Sequence, residues 1–275
     1  MERTASMSRG LADVRQYHRA LWVVWASTLL LLTLIAAYAY HQTVQVRERE
    51  HDLVAKDLAN LTRVGQEHAE RVLRGADQVL RFVQDAYRRQ GASLDLKELT
   101  ARGVIDVQLF NQVGIIDEQG IYVLANLPIE QRLDLSDREH FRVHVDASQD
   151  RLWVSKPVIG RASKRWSIQL TRRITRGDGS FAGVAVVSID PTYFTRFYAD
   201  LKLGERAELS LVGLDAVARA RLVGRREEFG TSASDAPMLR MANGGARQGA
   251  YRHRAAIDGV ERFYHYRQLV GFDLV

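Results

Sequence analysis

An α+β chain is what this sequence predicts: an apolar helix, a long second helical stretch, then two successive sets of antiparallel strands. Three observations predict it. An uncharged run fills Leu21 to Tyr40, His41 to Gln90 holds no proline and repeats apolar residues at helical steps, and from Val104 onward β-branched runs alternate with turn residues.

The run LWVVWASTLLLLTLIAAYAY at Leu21 to Tyr40 has about 20 residues, enough as a helix to cross roughly 30 Å of hydrocarbon. It is expected to be an uncleaved membrane span, because a signal peptide has a shorter apolar core and a better small-residue site than Ala36-Ala37-Tyr38-Ala39. Arg3, Arg9, Arg15 and Arg19 precede the run, whereas Arg47 and Arg49 alternate with Glu48 and Glu50 after it. This slight asymmetry places residues 1–20 in the cytoplasm. The remainder has no cysteine and so tolerates an oxidising compartment.

Leu58, Leu61, Val72, Val79, Val83 and Ala86 share one helical face. A stalk that dimerises near the membrane and packs on a sheet farther out fits this spacing, as does a monomeric core helix; Gly65 and Gly75 weaken a continuous coiled coil. Strands follow at Val113 to Asp117, Ile121 to Ala125, Leu152 to Val158, Trp166 to Ile174 and Phe181 to Ile189. Gly177-Asp178-Gly179 is a hairpin signal, since these residues tolerate positive φ. A short helix is expected over Asp137 to Ala147, with Ser136 able to cap it. A helix from Pro191 to Leu201 leads to the second set, which has a strand at Leu209 to Val212, a helix at Ala236 to Ala242, and strands either side of Asp258-Gly259. Phe272 to Val275 also reads as strand.

The net charge of +6 comes from 39 basic and 33 acidic residues. The arginines are scattered among acids, without a basic stripe interleaved with stacking aromatics, so nucleic acid is not expected as a partner. The sequence carries no G-x-S-x-G elbow, H-E-x-x-H pair or G-x-x-x-x-G-K-[ST] loop, so no catalytic residue is expected. Arg225-Arg226-Glu227-Glu228-Phe229 echoes a cyclase signature, but arginines stand where glycines would let the backbone approach a nucleotide. No cofactor is expected, and no metal, because His140 and His144 lack a third ligand.

The order of anchor, long helix and two α/β modules, with the series SDREHF, GRASKRW, DGSFAGV and SIDPTYFTRFY, resembles the double Cache, or tandem PAS-like, extracytoplasmic sensors of bacterial receptors, especially those attached to diguanylate cyclases. The resemblance implies two PAS-like (Cache) modules with antiparallel sheets. Its division is 1–20 cytoplasmic, 21–40 transmembrane helix, 41–103 stalk and packing helix, 104–203 membrane-distal module and 204–275 membrane-proximal module. It implies a homodimeric periplasmic sensor at the bacterial inner membrane, with a diguanylate cyclase or histidine kinase as output. In the amino-acid-binding branch an arginine, a tryptophan and a tyrosine hold the ligand carboxylate and a later aspartate its amine. Arg138 and Asp190 match; His140 and Phe141 stand where tryptophan and tyrosine are expected.

The chemistry of the residues also suits a carboxylate or another anion. Arg138 presents a planar fork of donors, and Lys164 and Arg165 add charge. The alternative for Arg138 is a surface pair with Asp134 or Asp137. Trp166 can wall a pocket or belong to the core, His144 can meet ligand or sit buried one turn beyond His140, and Asp190 can bind ligand or cap the next helix. The candidate ligand-binding set is therefore Arg138, His140, Phe141, His144, Arg165, Trp166 and Asp190. Two function classes stand: an input module for a small, carboxylate-bearing molecule, and a membrane-anchored envelope scaffold using the same fold for protein interaction.

Overall fold

The computed structural model describes residues 2–128, 132–161 and 163–275. Two compact units divide the chain, residues 1–57 and 58–275. Helix α1 (Glu2–Gln90) begins in the first and ends in the second. In the first unit Trp22, Trp25, Leu29 and Leu30 are exposed. No helix among the described residues is long and apolar enough to cross a membrane. Leu21, Val23 and Val24 of the expected span, and the side chains of residues 1–20 before it, lie outside the described residues.

From Leu58 onward the amphipathic face of α1 does what its spacing predicts. Val72, Leu73, Ala76, Leu80 and Val83 are buried, while Leu58 and Leu61 are half-buried. After a 3-10 turn at Gly91–Ser93 comes α2 (Leu96–Ala101), capped by Asp95, whose Oδ1 accepts from Lys97 N (2.9 Å) and Glu98 N (3.0 Å).

The first sheet contains β1 (Phe110–Ile116), β2 (Tyr122–Ala125), β3 (Trp153–Ile159), β4 (Trp166–Thr175) and β5 (Phe181–Ile189). All neighbours are antiparallel in the order β2-β1-β5-β4-β3. One face packs on α1, with Val113, Ile115, Leu170 and Val187 joining its apolar stripe. The other face carries α3 (Glu139–Val145) and a smaller cluster of Ile116, Tyr122, Phe141 and Val186. Ser136 does not cap α3. Arg138 holds the N-cap position without a side-chain cap, because the preceding turn is closed by Asp134, whose Oδ1 accepts from Ser136 N at 2.9 Å.

After α4 (Thr192–Asp200) the second set departs from expectation in one respect: it does not close into one sheet. Strands β6 (Glu208–Val212), β7 (Ala218–Val223) and β8 (Arg226–Glu228) form a three-stranded antiparallel sheet. Beyond α5 (Pro237–Asn243), β9 (Gln248–Arg254) and β10 (Glu261–Arg267) form a separate hairpin. The end of β6 is taken instead by the chain terminus, since Val212 and Val275 exchange backbone hydrogen bonds of 2.8 and 2.7 Å. Phe272 to Val275 is accordingly no strand, only an isolated bridge between Leu274 and Gly213. Side chains span the gap between β6 and β10: Tyr264 Oη donates to Glu208 Oε2 at 2.7 Å. Leu211, Ala220 and Leu222 join the same core as α1 and the first sheet.

Candidate functional site

Strand register assembles a polar row on the first sheet. Ser188 on β5 is the cross-strand partner of both Gln112 on β1 and Gln169 on β4. All three are buried, and Ser188 Oγ donates to Gln169 Oε1 at 2.6 Å while Gln169 N donates to Ser155 Oγ at 2.9 Å. Buried polar groups of this kind cost stability unless paired, so a row of them across a sheet centre is a place where a ligand can be recognised. The α3 N-terminus brings Arg138 and His140 to the same cleft, whose volume is about 30 Å³. That is room for about one water.

Arg138 is half-buried and makes one hydrogen bond among the described residues, a long one from Nη2 to Ile159 O at 3.4 Å. The surface pair expected of it belongs to Arg161, which holds Asp137 with both guanidinium arms at 2.6 and 2.7 Å. Arg161 also lines the cleft, and its own hydrogen bonds fasten the β3–β4 loop over the start of α3. His140 is held neutral: burial, then the charge of Arg138, brings its pKa down to about 4.

The remaining sequence-derived candidates lie elsewhere. Phe141 packs edge-on to Phe181 in the core, with ring centroids 5.8 Å apart. His144 is buried with Nε2 2.9 Å from Thr171 Oγ1, and burial, with Arg173 nearby, lowers its pKa to about 4. Arg165 is exposed, and Trp166, 40% exposed, sits 6.2 Å from Phe229 of the second set. Asp190 Oδ1 accepts from Thr192 N at 2.9 Å, setting the first turn of α4. Sequence reasoning missed Gln112, Gln169 and Ser188. Their signal was a polar residue inside each of three otherwise apolar runs, NQVGII, SIQLT and VVSI.

A larger cavity, about 410 Å³, lies between the β6–β8 sheet, the β9–β10 hairpin and α1, and none of the seven candidates lines it.

Residues 191–275 match the dCache_1_like model, described as a histidine kinase sensor domain. That segment runs from the start of α4 to the end of the second set, and the SDREHF, GRASKRW and DGSFAGV stretches precede it. No curated protein matches the chain. Among solved structures, the extracellular domain of rpHK1S-Z16, described as a histidine kinase, is similar with a TM-score of 0.71 at 24% identity, over 80% of this chain and 90% of that one. The ligand-binding domain of the Pseudomonas aeruginosa PAO1 amino acid chemoreceptor PctC in complex with GABA has a TM-score of 0.54 at 12% identity, over 80% and 95%. The ligand-binding domain of Mlp24 with asparagine has a TM-score of 0.55 at 15% identity, over 83% and 92%. The resemblance to double Cache sensor regions therefore holds at the level of fold, and its second half holds in sequence.

Proposed function

We propose that this chain is the ligand-sensing input region of a bacterial membrane receptor. One observation carries the reading: Arg138 and His140 from α3 meet the buried row Gln112, Ser188 and Gln169 at a single cleft. A guanidinium beside neutral amide, hydroxyl and imidazole groups suits a small carboxylate, with Arg138 as the charged anchor. Residues 104–203 are then the membrane-distal module and 204–275 the membrane-proximal one, with Leu21 to Tyr40 as the anchor and the sensor periplasmic. A homodimer and a cytoplasmic output belong to this reading. The histidine kinase descriptions of the matched sensor domains support a kinase in preference to a diguanylate cyclase.

The scaffold reading draws on the cleft's volume of about 30 Å³, far below the roughly 300 Å³ at which small-molecule pockets begin. For a ligand to enter, the Arg161–Asp137 clasp over the cleft has to open. A thermal-shift screen of the purified chain against small carboxylates separates the two. A carboxylate that raises the melting temperature, and does so less in Arg138→Ala, supports the sensor; no shift with any carboxylate supports the scaffold.

A further inference from the structure

The cavity beside β6–β8 is built differently from the first cleft, and three features of it point to an occupant. Its volume of about 410 Å³ falls within the range of small-molecule sites, about 300 to 1,000 Å³.

Buried polar atoms are left without partners along its wall. Arg221 on β7 and Glu228 on β8 stand directly opposite each other, and both line the cavity. Glu228 Oε1 is held by Arg226 Nε at 2.9 Å, but Oε2 is buried with no hydrogen-bond partner. Arg221 Nε lies 3.3 Å from Glu208 Oε1, yet its N–H is not directed at that oxygen and it too is unpartnered. Thr231 Oγ1 is a third such atom. A carboxylate oxygen and a guanidinium N–H are among the costliest groups to leave unpaired, so the wall calls for one donor and one acceptor side by side.

Aromatic rings face the same space. Tyr251 and Tyr264 are stacked at 5.2 Å with an interplanar angle of 10°, and both line the cavity. Tyrosine faces attract cations.

The space itself is made by a glycine. Gly65 lies within α1 and lines the cavity; it is buried, yet a Cβ added there would meet nothing within 4 Å. Glycine inside a helix is less stable than alanine. Here it leaves open room that any side chain would occupy.

We infer that this cavity is a second ligand site, for a small amine bearing a hydrogen-bond acceptor beside its nitrogen. The ammonium takes Glu228 Oε2 and Thr231 Oγ1 against the tyrosine rings, and the acceptor takes Arg221 Nε. The ligand would lie against Gly65, Gln66 and Ala69, so its occupancy bears directly on α1. Gln66 is already tied to the hairpin side, accepting from Arg267 Nε at 2.7 Å and donating to Gln268 O at 3.2 Å. The site shares no lining residue with the Arg138 cleft and does not rest on the reading of that cleft.

The test is calorimetry on the purified full chain with ethanolamine, glycinamide and L-serine, and with glycolate as the acid lacking nitrogen. At least one amine should bind saturably. Glu228→Gln should weaken that binding by about tenfold or more, Gly65→Leu should abolish it while the melting temperature is kept, and Arg138→Ala should leave it unchanged. If Gly65→Leu fails to fold, Thr231→Val reads the same wall and should also weaken binding. Silence from all three amines, binding that survives both Gly65→Leu and Glu228→Gln, or binding of glycolate alone would each overturn the proposal. Loss of amine binding in Arg138→Ala would place the ligand in the first cleft instead.

Discussion

Arg172 on β4 grips Asp77 on α1 with two arms, Nε on Oδ1 and Nη2 on Oδ2, the second at 3.1 Å, from a side chain that is itself only 5% exposed. Asp150 takes the third guanidinium nitrogen at 3.1 Å. One turn and more along the same helix, Gln84 Nε2 donates to Arg173 O at 2.7 Å. The apolar stripe of α1 has no direction along its axis, since any register that buries it gains similar area. These polar pairs fix the register. A signal that displaced this segment of α1 would have to carry the first sheet with it or break the pairs.

Removing Asp77 should therefore be costly. Asp77→Ala leaves the buried guanidinium with Asp150 alone, and an uncompensated buried charge costs about 3 to 5 kcal/mol; the remaining partner puts the expected loss near about 3 kcal/mol. Urea unfolding of wild type and variant measures it. The acid limb gives a second reading. Burial would raise the Asp77 pKa, but the hydrogen bonds and charge of Arg172, helped by Arg81, hold it below the usual value. A lowered carboxylate pKa contributes stability that is present above the unfolded value and lost as pH falls through the folded one. The wild type should thus lose stability below about pH 4 more steeply than Asp77→Ala does.

The two α3 histidines act in the next window up. Burial holds both His140 and His144 at about 4, against an ordinary value of 6.5. The unfolded chain binds these protons first, so stability should be full above about pH 6.5 and fall as pH drops toward 4. At about 1.4 kcal/mol per unit, the ceiling is about 3 kcal/mol per histidine. Denaturant titrations at pH 5 and pH 7 check this. His144→Gln should reduce the slope between them to about half, and an unchanged slope would assign the acid sensitivity to other groups.

Much of this fold was legible in the sequence where side-chain periodicity and turn chemistry agreed. Phe181 to Ile189 forms β5 at the expected bounds, because a β-branched run follows a Gly-Asp-Gly turn in which Asp178 Oδ1 accepts from Ser180 N at 2.9 Å. Strand β8 was not legible: Arg226–Glu228 is three charged residues whose pairing is set by β7, not by their own propensity. Helix α2 was missed although Asp95 and Glu98 carried a usable start signal. The site divides the same way. Arg138 and His140 are neighbours on one short helix and could be read locally, whereas Gln112, Ser188 and Gln169 become a row only through the register of three strands. The split of the second sheet depends on Val275 reaching Val212, a contact no local pattern encodes.

Close approach at the edge of the first cleft gives a backbone prediction. Gly114 on β1 pairs with Ala125, and a Cβ there would overlap Tyr122 Oη and Leu124 O. Gly114→Ala should destabilise by about 1 to 3 kcal/mol, the usual cost of overpacking. Adding Tyr122→Phe removes the phenol oxygen but not the carbonyl, so rescue should be partial. Full rescue would show that β2 yields more readily than its pairing implies.

Arg138 and Arg161 both line the first cleft, yet they should separate cleanly on substitution. Arg161 spends its guanidinium on Asp137 and on Asp134 O, so its loss should loosen the β3–β4 loop, with little change in global stability because the pair is exposed. Arg138 has only the long bond to Ile159 O among the described residues, which leaves its other donors for a ligand. Arg138→Ala should remove charge-assisted hydrogen bonds of about 1.5 to 3 kcal/mol, hence about 10 to 150-fold in affinity for a carboxylate found by the screen. Its melting temperature without ligand should stay near wild type. Arg161→Ala should instead speed ligand entry and exit, with a smaller change in affinity, because it removes the clasp and not the anchor. Stopped-flow binding with both variants distinguishes the roles. Equal affinity in Arg138→Ala and wild type would remove the anchor from the sensor reading, and slower entry in Arg161→Ala would show that the loop guides ligand in and does not cover it.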